Sequence, residues 1–258
     1  MIQIGNPLSS PERFTIPLLS KLIPTGLKFS TMLGVEFDPE SQWAAVAATI
    51  TAQRISDGSV VEYLAMARPR EEVREHLTSI GVDVKTSEEA ELLFVDDWYT
   101  SSLGFEHAPS QAIVWADKYN RAHSLKVADL SVDFLMAAKE KNPDEMGQPG
   151  LLVIPESMSV LMLFNDEKVF LEWLENRFLP WEKACKRVGL FGFVCGIHSE
   201  SFYKRVENAV DGVIDLKVME RDDKVKSFLR VRSLKNQPCD TKWHEIEVKP
   251  NGEAFLSS

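Results

Sequence analysis

The sequence predicts an α/β domain: a mostly parallel central sheet covered by helices on both faces, three layers in all, with antiparallel hairpins at its C-terminal end. Three observations predict it. Short runs that are apolar throughout recur up to about residue 200, as parallel strands buried on both faces require. Segments with helical starts and stops lie between them, so that strand and helix alternate as βαβ units. Beyond about residue 210 the pattern changes to charged strands punctuated by turns.

The predicted strands are Thr31–Phe37 (TMLGVEF), Val60–Met66, Glu91–Asp96, Leu151–Pro155 and Leu190–Ile197 (LFGFVCGI). Asp38-Pro39-Glu40 reads as a helix start: a capping acid, a proline at the first helical position and an acid in the first turn. The helix it opens, SQWAAVAATITAQRI, stops near Asp57-Gly58. A second helix runs from Pro69 to Gly81, a terminating glycine. A third covers about Asp129–Lys141, and a longer one about Asp166–Val188 is interrupted at Pro180, which has no N–H to give the helix. Thr100–Ser124 has no clear period and reads as a long loop or a small helical insertion. DGVIDLKVMERDDKVKSFLRVRSL is a hairpin around a charged turn. WHEIEVKPNGEAFL is a second hairpin with Asn251-Gly252 at its tip. The expected organisation is one domain over residues 1–258.

Composition narrows the function classes. Of 258 residues 44% are hydrophobic and 26% charged, enough for a full core and unlike a disordered chain. A net charge of −10 opposes a broadly basic nucleic-acid surface. The N-terminus lacks the basic start and apolar run of a signal peptide, and no stretch has the roughly 18 apolar residues of a membrane helix. Cys185, Cys195 and Cys239 suit neither a disulfide framework nor a zinc knuckle. The expectation is a cytoplasmic protein that does not engage membranes.

An ordered series of segments resembles the KaiC-like family of RecA-type ATPase domains, over most of the chain. IPTGL at Ile23–Leu27 is similar to the family's lead-in to its first core strand. VEYLAMARPREEVREHLTSIGVD resembles its second strand and helix, and LLVIPESMSVLM occupies the place of its VVIDSLS strand. DEKVFLEWLENRFLPW matches the helix that follows. VENAVDGVIDLKV, FLRVRSLKN and TKWHEIEV resemble the late strands in order. The resemblance implies a RecA-like fold, an oligomer and, since the family is common in archaea, an archaeal source.

Against that resemblance, the nucleotide chemistry is missing. The family's first strand leads into a P-loop, GxxxxGK[ST], whose N–H groups, lysine and hydroxyl hold phosphates and magnesium. The corresponding stretch here is Val35–Gln42: Val35 and Glu40 replace the glycines, Ser41 the lysine and Gln42 the hydroxyl residue. No GK[ST] occurs anywhere in the chain. Pro39 has no N–H to donate. Glu36, Asp38 and Glu40 are expected to crowd negative charge where phosphates would lie. A like-charge pair at about 4 Å costs about 4 kcal/mol at an effective dielectric of about 20. A helix dipole returns only about 0.3–1 kcal/mol, so repulsion wins. The family's Walker B aspartate falls on Pro155, and Glu156 takes that role under a one-residue shift. The paired acids that position the attacking water fall on Ala67 and Arg68, neither of which acts as a base. The lysine and arginine that reach a neighbouring subunit's phosphate fall on Ser233 and Lys235, which marks these two as subunit-interface positions.

Other residues carry sharper and plainer readings side by side. Asp96-Asp97 end a strand and either ligate a metal or cap the next turn. Cys195 and His198 form C-x-x-H without the second pair that zinc needs, so a buried strand cysteine is the better reading. His198 lies where open parallel sheets bind ligands, and is a candidate ligand contact with Asp96 and Asp97. His244 lacks the second histidine of H-E-x-x-H, since Val248 holds that place. Phe170, Trp173, Leu174, Phe178 and Trp181 follow helical spacing and read as packing. Lys183, Lys186 and Arg187 read as a solvated helix face. Lys217, Arg221, Lys224, Lys226, Arg230, Arg232 and Lys235 form a denser basic set, interrupted by Glu220, Asp222 and Asp223.

The function these residues predict is a RecA-fold protein without ATP hydrolysis, cofactor or metal. It would act as a scaffolding or regulatory subunit in a homo-oligomer or with a paralogous RecA-like chain. Two alternatives stand beside it. One is a nucleotide or small-molecule binding protein using Glu156, His198 and the loop around Trp98–Ser102. The other, less favoured, is a nucleic-acid-binding paralogue using the basic hairpin.

Overall fold

A computed structural model describes residues 13–102 and 151–257. The third predicted helix, about Asp129–Lys141, lies outside the described residues, as does nearly all of the aperiodic Thr100–Ser124 stretch. In chain order the elements are β1 (Met32–Phe37), α1 (Trp43–Ser56), β2 (Val61–Ala65), α2 (Arg70–Ser79), α3 (Val84–Glu89), β3 (Leu93–Asp97) and a short α4 (Trp98–Ser102). Then come β4 (Leu152–Pro155), a 3-10 turn (Met158–Leu163), α5 (Glu167–Trp173), α6 (Leu179–Ala184), β5 (Val188–Val194) and α7 (Glu200–Ala209). The chain ends on β6 (Gly212–Arg221), β7 (Lys224–Leu234), β8 (His244–Val248) and β9 (Ala254–Leu256).

These strands form one sheet in the order β3-β2-β4-β5-β1-β6-β7-β8-β9. Pairing is parallel from β3 across to β6 and antiparallel from β6 onward, the mixed sheet that the sequence predicts. β1 is central because both its faces are buried. Leu33, Val35 and Phe37 join Ile50, Val73 and Leu77 in a cluster beneath α1 and α2. Met32 faces the other way, into an aromatic-rich cluster with Phe170, Phe193, Phe202 and Val206. Two helical layers thus enclose the sheet.

The helix boundaries follow their chemistry, with one correction. α1 is buried on nearly all sides through Ala45, Val46, Ala47, Ala48 and Ile50, and it stops ahead of Gly58 at φ 75°. It begins at Trp43, however, so Asp38-Pro39-Glu40 is not its cap. Asp38 instead accepts a hydrogen bond from the Val218 N–H at 2.9 Å, which ties the turn to β6. α2 stops before Gly81 at φ 95°, as predicted. The long helix after Asp166 ends at Ala184, and Arg187 is a buried linker residue rather than part of a solvated helix face. Pro180 cannot donate to the ladder, and Leu174–Phe178 widens into a π-helical turn that joins α5 to α6.

The second hairpin folds back across the first helical layer. The Ala254 N–H donates to Thr49 Oγ1 at 2.8 Å, and the Ser79 hydroxyl donates to the Asn251 carbonyl at 2.9 Å.

Candidate functional site

The chain leaves β1 toward β2 on one side and later crosses from β5 to β6 on the other. Such a switch point opens a crevice at the C-terminal ends of the strands, which is where open α/β sheets place ligands. Its walls are the turn after β1, the end of β4, the end of β5 and the start of α1.

The turn after β1 is shorter than the eight-residue stretch read from the sequence. β1 continues through Phe37, because Val35 pairs with Gly192 and Ile214, and Glu36 with Phe193 and Asp215. Val35 and Glu36 are therefore buried strand residues, and the turn is Asp38–Gln42. Three acids do not converge on it. Glu36 points to the face covered by α7, with its Oε1 2.7 Å from Arg232 Nη2, although the pair is not aligned as a hydrogen bond. Burial pushes the Glu36 carboxyl up, and Arg232 opposes that shift. Asp38 is held by the Val218 N–H, and Glu40 is exposed. Among the described residues Ser41 is half-buried with no hydrogen bond to its hydroxyl, and Gln42 is exposed and makes no side-chain cap.

Trp43, the first residue of α1, packs between the end of β1 and the end of β4. Its side chain is 3% exposed and stacks on Phe37, with centroids 6.0 Å apart and planes 29° apart. The indole N–H donates to the Glu156 carbonyl at 2.7 Å. Gly192 in β5 makes the approach possible. A Cβ there would run into the Glu156 carbonyl oxygen and come within 2.9 Å of the indole nitrogen. Three elements distant in sequence thus meet over one aromatic ring.

Pro155 closes β4 opposite Leu64, and Glu156 follows it into the interior at 4% exposure. Glu156 Oε1 accepts from Arg68 Nε at 2.8 Å and from the Tyr63 hydroxyl at 3.1 Å, while Oε2 is buried without a partner among the described residues. Burial, reinforced by Glu156, drives the Tyr63 hydroxyl well above the usual phenol range. Arg68 stands where the resemblance places an acid, and its guanidinium neutralises the one carboxylate at the end of β4.

The remaining candidates are not part of this crevice. Asp97 accepts from the Thr100 N–H at 2.7 Å and so caps α4, the plainer of its two readings. Asp96 sits on the face of Glu62, where burial first and Glu62 second push its carboxyl well up while Arg187 and Arg70 oppose. His198 is packed rather than open: its side chain is 4% exposed. Its Nε2 is 2.8 Å from Ser159 Oγ, and its ring centroid is 4.3 Å from that of Phe202. Burial holds its imidazole below the usual range. Among the described residues no group of three or more His, Cys, Asp or Glu side chains is arranged to hold a metal ion. No described helix is long and apolar enough to cross a membrane.

Ser233 is an exposed residue of β7, opposite Val213. Lys235 Nζ donates to the carbonyls of Asn208 (2.7 Å) and Val210 and caps the C-terminus of α7 within its own chain. Much of the basic hairpin is likewise engaged: Arg230 with Asp215 at 2.7 Å, Arg232 with Glu36 and Glu207, and Lys226 with Glu245.

Sequence reasoning missed Trp43 and Gly192. The signal for Trp43 was a large aromatic immediately after the turn, at a place where a phosphate-binding helix needs open space. For Gly192 there was none, since a glycine within an apolar run has no sign of which backbone it admits.

No family model and no curated protein matches the sequence. Its structure does have solved relatives. A KaiC-like protein from the hyperthermophilic archaeon Pyrococcus horikoshii matches with a TM-score of 0.69, covering 96% of this chain and 100% of that one at 16% identity. The chain has the KaiC-like, RecA-type α/β fold.

Proposed function

We propose that the protein is a non-catalytic RecA-fold subunit that scaffolds or regulates an assembly, with copies of itself or with a paralogous RecA-like chain. The observation that carries this reading is Trp43, whose indole packs between the end of β1 and the end of β4 and is hydrogen-bonded to the latter. Triphosphate binding needs that volume, with backbone N–H groups and a lysine around it. A five-residue turn containing Pro39, with no GK[ST] in the chain, supplies neither. Hydrolysis needs in addition a base near the attacking water. Glu156, the one buried carboxylate at the end of β4, is committed to Arg68 and Tyr63. With the crevice closed and the fold retained, the surfaces of the domain are what remains to do work.

Thermal denaturation with magnesium and ATP or ADP tests the reading. A ligand at about 100 times its Kd adds about 2.7 kcal/mol to folding stability. For a domain of this size that lifts Tm by roughly 5–11 °C. The expected result is no shift at millimolar nucleotide and no phosphate release. A shift of that size, or turnover, would overturn it.

A further inference from the structure

His198 belongs to a relay of side chains that the Trp43 crevice does not use. The 3-10 turn after β4 carries Ser159, the loop after β5 carries His198, and the first turn of α5 carries Glu167. The Val194 N–H, at the end of β5, donates to Ser159 Oγ at 2.9 Å and fixes it in place. His198 Nε2 lies 2.8 Å from that oxygen, and its Nδ1 lies 3.5 Å from Glu167 Oε1. Glu167 is held in turn by Ser199, whose N–H and hydroxyl donate to its two oxygens at 2.9 Å and 2.6 Å. The Ser199 hydroxyl first, and then its N–H and His198, keep the Glu167 carboxyl below the usual carboxylate range.

These contacts decide where the protons sit. A carboxylate only accepts, so a neutral imidazole beside Glu167 carries its proton on Nδ1. Nε2 is then an acceptor, and the Ser159 hydroxyl, which already accepts from the Val194 N–H, donates to it. Burial keeps the imidazole below its usual range, so the neutral form prevails at neutral pH. The loop is also pinned. The His198 ring centroid is 4.3 Å from that of Phe202, the His198 N–H donates to the Tyr203 hydroxyl at 3.3 Å, and that hydroxyl donates to the Val194 carbonyl at 2.6 Å. A hydroxyl bonded to an imidazole that a carboxylate orients is the arrangement that activates a serine as a nucleophile. Such contacts run long without substrate, which accommodates the 3.5 Å at Nδ1. The relay lies at the C-terminal ends of β4 and β5, the edge where open parallel sheets place ligands.

We propose that Ser159 is a nucleophile for acyl transfer from small neutral esters, with His198 as its base and Glu167 as the positioning residue. Ser159 Oγ attacks the ester carbonyl carbon while its proton passes to His198 Nε2. The bond from that carbon to the alcohol oxygen breaks, and the alcohol leaves with the proton from His198, giving acyl-Ser159. Water, giving its proton to His198, then releases the carboxylic acid, and the proton returns to the serine oxygen. The substrate class follows from the surroundings. Leu163 and Ile197, on the same two loops, are 78% and 59% exposed and offer an apolar surface, while the ionised Glu167 disfavours an anionic acyl group. Ser159 is buried at the inner end of the relay, so only a small acyl group reaches it. The loop above it has room to yield, since a Cβ on its Gly196 would meet nothing within 4 Å. This site is separate from the crevice beside Trp43, and with it the subunit is non-catalytic toward nucleotides only.

The test treats the full chain with p-nitrophenyl acetate and, separately, with a fluorophosphonate, which bonds to a nucleophilic serine as fluoride leaves. Wild type is expected to release p-nitrophenol faster than buffer does, and mass spectrometry of its peptides is expected to find the phosphonyl group on Ser159. Ser159→Ala is expected to lose both. Glu167→Gln removes the anion that sets the imidazole tautomer and is expected to slow release at least about tenfold while circular dichroism shows it folded. The wild-type rate is expected to rise with pH and level off below the range of an ordinary histidine, because the base must be neutral. A wild-type Ser159 peptide without label overturns the proposal, whether or not Ser159→Ala folds. Release that Ser159→Ala leaves unchanged overturns it too, as does acetyl found on lysines alone. A relay that merely ties the two loops together would lower Tm in the variants and leave Ser159 unlabelled, which also overturns it.

Discussion

The indole N–H of Trp43 lies 2.7 Å from the carbonyl oxygen of Glu156, so the first residue of α1 is bonded to the end of β4. The residues are 113 positions apart, and both are buried. This bond makes the ring part of the core. Replacing Trp43 by Ala should cost about 3–5 kcal/mol, the usual range for a buried large aromatic. Trp43→Phe keeps an aromatic on Phe37 but orphans the carbonyl, and should cost about 1–3 kcal/mol. Guanidinium denaturation of the two variants measures both.

Gly192 should tolerate no side chain. A Cβ there would run into the Glu156 carbonyl and press on the Trp43 indole. Because one obstacle is backbone, no side-chain rotation relieves it, and Gly192→Ala should cost about 1–3 kcal/mol or more. Its near-ultraviolet circular dichroism should also change as Trp43 is displaced.

Arg68 and Glu156 should behave as a unit. Arg68→Ala leaves a carboxylate at 5% side-chain exposure with only Tyr63 to support it, at a cost of about 3–5 kcal/mol. Glu156→Gln removes the charge that needs Arg68, so the double variant should be more stable than Arg68→Ala alone. A denaturation cycle over the four proteins checks this, and strict additivity would exclude the coupling.

The stability that Glu182 contributes should fall as pH rises toward neutrality. Burial pushes the Glu182 carboxyl up to about 7 from an ordinary 4.5, Arg187 opposes that shift and Glu62 adds to it. Between those values the folded chain holds the proton more tightly than the unfolded chain, so raising pH through this window removes stability. The loss from this group amounts to about 3 kcal/mol at most. Glu182→Gln should remove this contribution from a stability-against-pH curve, leaving Asp96, whose carboxyl burial also raises, with the same sign and His198, whose imidazole burial lowers, with the opposite sign.

The sheet was legible because its strands announce themselves locally. Runs such as LLVIP and TMLGVEF are dominated by apolar residues and read as covered strands, and β1 and β4 each start one residue later than predicted, whereas β5 ends at Val194, three residues before the predicted Ile197. The start of β5 at Val188 was assigned to a helix, because KRV carries no local mark of where a helix releases the chain. The site was less legible, since long-range contacts define it. Arg68 could be read as a lost acid, yet its partner Glu156 is 88 positions away. Asp38-Pro39-Glu40 satisfied every local rule for a helix start, and the tie from Asp38 to Val218, 180 positions on, overrode them.

Titration calorimetry of ATP and ADP with magnesium, on wild-type protein of known mass, tests the central claim most directly. A crevice filled by Trp43 predicts no heat of binding at millimolar nucleotide. Binding in the micromolar range would mean that the indole leaves the crevice at little cost, and would contradict the account.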